Sequence, residues 1–196
     1  KQAGKNAWRA YRADLDTTPE MVSRLSWNER LAGALRNNLF ELHYQGVYNA
    51  NTRRLVHLEA LIRLRDAATG ELVPPGLFIP VAEKSNKILE IDRWVLRQAI
   101  QVLSERPQAP PIAVNISGRS FDDPALPNYI ADLLREYRAD PARLLIEITE
   151  TAAVSDLTDA ERFIEALKQT GCGVCLDDLG AGIASFVAPP AAARDP

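Results

Sequence analysis

Five short apolar runs, separated by turns or by stretches of helical period, constrain the fold more than anything else in the chain. They are Leu39 to Val47, Leu55 to Leu64, Ile112 to Ser117, Leu144 to Glu150 and Gly173 to Asp178. The first alternates Phe40, Leu42 and Tyr44 with Glu41, His43 and Gln45, as a strand with one buried face does. The later runs are nearly continuous in apolar residues, the pattern of strands covered on both faces. Ser26 and Glu29 have the spacing of a capping box, and Leu31, Ala34 and Leu35 continue at helical period through Asn38, which predicts a helix here. Asn49-Ala50-Asn51 marks a turn, and Pro74-Pro75 opens a short helix running through Ala82. Ile91 to Leu103 has the spacing of an amphipathic helix, ended by Pro107, Pro110 and Pro111. Pro124 to Tyr137 and Asp159 to Gln169 read as two more helices. This alternation predicts an α/β protein with a parallel sheet, and its repetition favours a (β/α) barrel over a doubly wound sheet.

Four of the five runs contain polar groups where apolar ones would bury more cheaply. Glu59 lies inside Leu58-Glu59-Ala60-Leu61-Ile62-Arg63, and a carboxylate there needs a partner, either Arg63 or a metal. Asn115, Glu147 and the pair Asp177-Asp178 occupy comparable places in the later runs. In a parallel barrel the strand ends converge on one face, so these five oxygen donors can share a pocket. Carboxylates with one amide suit Mg²⁺ or Mn²⁺ better than Zn²⁺. Adjacent Asp177 and Asp178 repel each other unless a cation lies between them, and two metals clamping a phosphodiester and activating water fit that pairing. The plainer alternative is a strand end with two solvated acids.

Composition removes several classes of function. The 196 residues are 46% hydrophobic and 25% charged, enough for one sizeable core. A net charge of −3 without a long basic run gives no electrostatic basis for binding a nucleic acid polymer or an anionic membrane. No apolar window reaches the length of a membrane span, and Lys1 to Asn6 lacks a signal-peptide core. A cytoplasmic domain is expected, with room for a membrane anchor upstream. Cys172 and Cys175 have the C-x-x-C spacing of a redox pair or half a zinc site. They enter a predicted strand without a second pair or a nearby His, which favours two small buried thiols.

The residues also resemble a known family, the EAL-type cyclic di-GMP phosphodiesterase domain, named for the triplet seen here as Glu59-Ala60-Leu61. The likeness runs from about Glu29 to Gly182. It includes Tyr44-Gln45, Glu59-Ala60-Leu61-Ile62-Arg63, Phe78-Ile79-Pro80-Val81-Ala82-Glu83, Asn115-Ile116-Ser117, Glu147-Ile148-Thr149-Glu150 and Asp177-Asp178-Leu179-Gly180. A lone triplet carries little weight, whereas this ordered set is specific. The resemblance implies a TIM-type barrel and metal-dependent hydrolysis of cyclic di-GMP to the linear dinucleotide. It implies that Glu59, Asn115, Glu147 and Asp177 hold one metal, Mg²⁺ or Mn²⁺, and that Asp177 and Asp178 help hold a second. Glu59 is accordingly the expected catalytic residue. Gln45, Leu61 and Arg63 are expected to contact the dinucleotide, Arg63 through a phosphate. A guanidinium forks onto phosphate oxygens, and its spacing from Glu59 keeps both on one side of a strand; a salt bridge between them is the structural alternative. Thr149 and Glu150 are expected to support the site, and His43 and His57 match no ligand position.

Residues 1–16, with Ala3-Gly4-Lys5-Asn6 and Trp8-Arg9-Ala10-Tyr11, resemble the closing segment and linker of a GGDEF (diguanylate cyclase-type) domain. Residues 17–187 form the expected barrel domain, and 188–196 an irregular Ala/Pro-rich tail. After Asp178 the family's loop carries Phe, Thr, Tyr and Ser where this chain has Leu179, Ala181, Ile183 and Ala184. No Lys, Glu or Gln follows Gln169 to match the family's later catalytic lysine and its partners, and Gly46 replaces the usual proline. The expectation is therefore a C-terminally truncated barrel, about five of eight strands, that covers its open side as a homodimer or with other protein. Two functions follow: a phosphodiesterase domain, or a catalytically silent module that binds cyclic di-GMP or mediates dimerisation.

Overall fold

The computed structural model describes residues 19–149, 157–177 and 185–187, with side chains over 26–148 and 161–175. The expected segments 1–16 and 188–196, together with Glu150 and Asp178, lie outside the described residues, and Asp177 is described by its backbone alone. The first helix, α1 (Pro19–Arg36), begins well before Ser26. Ser26 and Glu29 are therefore interior to α1 and cap nothing, a correction to the expected helix start. Pro19 opens the helix instead, since its missing N–H is no loss in a first turn.

A hairpin follows, β1 (Phe40–Tyr48) and β2 (Leu55–Arg65), paired antiparallel. The expectation of a parallel sheet fails at β1 for a simple reason: the connection is a tight turn, and parallel strands need a crossover of a dozen residues or more. The Asn49 carboxamide oxygen builds that turn, accepting from the backbone N–H groups of Asn51 and Thr52. The two-residue β3 (Leu72–Val73), unforeseen in the sequence, pairs antiparallel with the far end of β2. Next come α2 (Pro75–Lys84), α3 (Ile88–Glu105), β4 (Ile112–Ile116), α4 (Leu126–Tyr137), β5 (Leu144–Thr149), α5 (Leu157–Gln169), β6 (Gly173–Asp177) and β7 (Ser185–Val187).

The sheet runs β1-β2-β4-β5-β6-β7, parallel from β2 to β6. β7 lies antiparallel along β6, where the sequence predicted an open edge. Side chains at even positions, including Ala60, Ile112, Val114, Leu144, Ile146, Ile148 and Val174, face the helices and are buried. Leu96, Ile100, Leu103, Ile130, Leu133 and Leu167 meet them from the helical layer. Each such buried side chain stabilises the fold by about 2 kcal/mol. Phe40 joins the first turns of the sheet to the helices, its ring 5.9 Å from Phe78 and 5.7 Å from Trp94. Arg143, just ahead of β5, holds the end of α3 by donating to the carbonyl oxygens of Leu103, Arg106 and Ala109 at 3.0, 3.0 and 2.7 Å.

Candidate functional site

With even positions turned to the helices, odd positions of the same strands share the opposite face. Gln45, His57, Glu59, Leu61 and Arg63 stand there on the hairpin, Ala113 and Asn115 on β4, Leu145 and Glu147 on β5, and Asp177 by register on β6. Gln45 is directly opposite Glu59, and Asn115 is level with Glu147. The Asn115 amide Nδ2 donates to Glu59 Oε1 at 2.9 Å, a diagonal reach across adjacent parallel strands. The expected polar groups of β2, β4 and β5 thus converge on one face. Asn115 is a side-chain partner of Glu59 in this structure. Among the described residues no ion pair joins Arg63 to Glu59, and Arg63 Nη1 instead donates to its neighbour's carbonyl, Ile62 O, at 2.9 Å.

Glu41, which faces Arg63 across the hairpin, is held by Arg65 at 2.8 Å and by His43 at 2.9 Å. These contacts hold its carboxyl below the usual range, the Arg65 bond most of all. Arg63 is therefore not neutralised by the acid opposite it. A cavity of about 250 Å³ opens between the ends of β2 and β4 and helices α2 and α3, with Leu61, Arg63, Glu83, Asp92, Asn115 and Ser117 on its wall and apolar side chains, mostly isoleucines, filling in the rest.

One feature of this site escaped the sequence reasoning. Asp92, on α3, is 4% exposed and accepts from Ser120 Oγ at 2.6 Å and from the Ser117 backbone N–H at 3.1 Å. Burial pushes its carboxyl up to about 7, assisted by the charge of Glu83 and opposed by the two serine hydrogen bonds. Glu83 in turn accepts from Ser117 Oγ at 3.0 Å, so the turn after β4 is tied to both helices. The available signal was an acid on the apolar stripe of α3, flanked by Ile88, Ile91 and Val95. His57, expected to match no ligand position, is also 4% exposed, and its Nε2 lies 3.8 Å from Glu147 Oε1. Burial lowers its basicity, against the raising effect of the Glu59 charge. Cys172 and Cys175 are buried and form no disulfide, and burial pushes the Cys172 thiol up to about 11, so it remains protonated at neutral pH.

The donor set fits a hard divalent cation: two carboxylates and an amide oxygen on adjacent strands, with the Asp177 backbone one strand step further on, level with Thr149. Among the described residues no three His, Cys, Asp or Glu side chains are close enough to hold an ion by themselves. No described helix is long and apolar enough to cross a membrane.

Fold and face together point to a class: α/β-barrel proteins that gather polar side chains at the carboxyl ends of parallel strands. The model of the EAL domain matches residues 28–188, and the chain belongs to that family. It is 35% identical over 191 residues to the oxygen sensor protein DosP of Escherichia coli, covering 95% of this chain and 23% of that protein. It is 30% identical over 170 residues to the cyclic di-GMP phosphodiesterase PdeF of the same organism, covering 85% of this chain and 22% of that one. The chain thus spans under a quarter of the length of these curated relatives. Among solved structures, the PaMucR phosphodiesterase in its c-di-GMP complex superposes with a TM-score of 0.74 at 31% identity, covering 82% of this chain and 66% of that one. The FimX EAL domain of Xanthomonas citri, in complex with c-diGMP, does so at 0.71 and 33% identity, covering 79% and 61%. The chain spans about two thirds of the length of each of these structures.

Proposed function

We propose that this chain contributes the site of a cyclic di-GMP phosphodiesterase, in which water adds across one phosphodiester bond and opens the cyclic dinucleotide to its linear form. The observation that supports this most is the shared face on which Glu59, Asn115 and Glu147 come together while Arg63 stands beside the cavity, clear of Glu59. Glu59, Asn115, Glu147 and Asp177 are the residues that would hold a divalent cation, Mg²⁺ or Mn²⁺, with Asp177 and Asp178 contributing to a second. When bound, such a cation supplies Lewis acidity toward the phosphodiester and a nucleophile from water at neutral pH. Arg63 forks onto a phosphate oxygen pair, and Gln45 and Leu61 orient the dinucleotide from the hairpin side. The cavity between β2, β4, α2 and α3 gives it an apolar seat next to that phosphate.

In the same proposal, residues 17–187 are the barrel unit, 1–16 close a GGDEF-like domain, 188–196 form a separate tail, and a second copy of the chain completes the open sheet as a homodimer. A second reading, binding without turnover, is favoured by one observation: β7 lies antiparallel on β6, where a (β/α) barrel places a parallel strand. The purified chain incubated with cyclic di-GMP and Mn²⁺ or Mg²⁺, followed by chromatography of the nucleotides, separates the two. Appearance of the linear dinucleotide, abolished in Glu59→Gln with nucleotide binding retained, is expected for the phosphodiesterase. Binding without product supports the silent module, and neither binding nor product overturns both.

A further inference from the structure

Glu41 makes an ion pair that its place in the ladder does not favour. It lies directly opposite Arg63, while Arg65 stands one strand step further along the same face of β2, on the diagonal. Side chains directly opposite each other in an antiparallel pair are about 5 Å apart at Cβ, against roughly 7–8 Å on the diagonal, so Arg63 is the nearer cation by backbone position. The carboxylate nevertheless takes the diagonal partner. Arg65 Nη2 donates to Glu41 Oε1 at 2.8 Å and to Oε2 at 2.9 Å, and His43 Nε2 lies 2.9 Å from Oε1 on the other side along β1. Arg65 is itself fixed from behind, its Nη1 donating to the Gly70 carbonyl oxygen at 2.6 Å. Gly70 belongs to a tight turn: its N–H donates to Asp66 O at 2.9 Å, and Asp66 Oδ1 accepts from the N–H groups of Ala68 and Thr69 at 2.8 and 2.9 Å. Arg63, on the wall of the cavity, is left among the described residues with the Ile62 carbonyl as the acceptor for its side chain.

We propose that Arg65 is a positioning residue for Arg63: by holding both carboxylate oxygens of Glu41 it keeps that acid off the Arg63 guanidinium and leaves the guanidinium free to take a phosphate of the dinucleotide. That role rests on the reading of Arg63 as a phosphate contact and adds to it. A planar guanidinium suits the task because its fork occupies both oxygens of the carboxylate at once. Without Arg65, the acid directly opposite Arg63 turns to it, and an incoming phosphate has to displace a carboxylate that the parent chain keeps aside. Exposed pairs of this kind shift an equilibrium by about two- to fivefold, which sets the size of the effect. In this arrangement Arg65 touches no substrate, and its effect passes through Glu41 to Arg63.

The test is a calorimetric titration of the whole chain with cyclic di-GMP in the presence of EDTA, so that no metal-dependent turnover intervenes, for the parent, Arg63→Met, Arg65→Met, Glu41→Gln and the double variant carrying both Arg65→Met and Glu41→Gln. A dissociation constant about two- to fivefold higher for Arg65→Met is expected, with Glu41→Gln alone unchanged, because its carboxylate is already occupied, and the double variant restored to the parent's value. Arg65→Gln serves in its place should Arg65→Met not fold. Parent-like binding by Arg65→Met overturns the inference while leaving the phosphate reading intact. Weakening that persists in the double variant overturns it also, by showing that Arg65 acts otherwise than through Glu41. So does a Glu41→Gln variant that gains the factor Arg65→Met loses, since the two charges then act additively at a distance. If Arg63→Met binds like the parent, or the parent binds no nucleotide, the phosphate reading of Arg63 fails and the inference with it.

Discussion

Asp92 is the residue whose surroundings make the most direct demand on solution conditions. Its carboxyl is held up to about 7 in the folded chain because burial disfavours the charged form. The unfolded chain releases that proton near pH 4, the ordinary carboxyl range. Between these values the folded state binds a proton that the unfolded state does not, so stability falls as pH rises from about 4 to about 7 and then levels off. The full span is worth at most about 4 kcal/mol. Asp92→Asn, which keeps an acceptor for Ser117 and Ser120, is expected to flatten this part of the profile, as followed by thermal melting across that pH range. At this scale the sequence was informative about residues inside strands and silent about those that bridge elements. Glu59, Asn115 and Glu147 stood out as oxygen donors in apolar runs, and the structure places them on one face. That Asn115 rather than Arg63 would meet Glu59 depended on the offset between β2 and β4, and strand offsets are not written in any one strand. Asp92 was missed for a related reason: it serves partners on another element, across the turn at Ser117.

Among the elements, β5 and β6 are joined at a point of unusually close approach. A Cβ added to Gly173 would lie 2.6 Å from Leu145 Cδ2, and Leu145 is itself buried on the site face, one strand step below Glu147. Gly173→Ala must displace that side chain, a crowding expected to cost about 1–3 kcal/mol. A melting temperature lower by several degrees than the parent is the expected outcome, and an unchanged one would show that Leu145 has room to turn. The strands and helices themselves were largely legible, because period 2 and period 3.6 are local properties. The errors lie at ends and edges. The capping-box spacing of Ser26 and Glu29 was outweighed by continuous helical sequence on its N-terminal side, and β3 and β7 are too short to carry a pattern. The orientation of β1 was implicit in the shortness of the turn at Asn49, a cue that the alternation of strands and helices obscured.

For the molecule as a whole, the site joins three strands whose connections pass through separate helices, so an ion bound there links parts of the sheet that are distant in sequence. Ligand bound only by the folded state adds about 2.7 kcal/mol at a free concentration one hundred times its dissociation constant. For a chain of this size that is a rise in melting temperature of roughly 5–10 °C in saturating Mn²⁺, reversed by a chelator. The same rise in Glu59→Gln would mean that the ion binds elsewhere. The hairpin of β1 and β2 has a further consequence, for synthesis. It needs only the turn at Asn49 to form, on a timescale of about 1–10 μs, and it brings Gln45 opposite Glu59 as soon as both strands have left the ribosome. Asn115 and Glu147 arrive later, after one crossover and then a second, each with its own loop-closure cost. A nascent chain therefore carries Glu59 without Asn115 until β4 docks and without Glu147 until β5 docks, and a chain stalled before β6 cannot assemble the proposed ion ligands. In the proposed metal reading, competence to bind the ion is acquired late, when β6 joins β5.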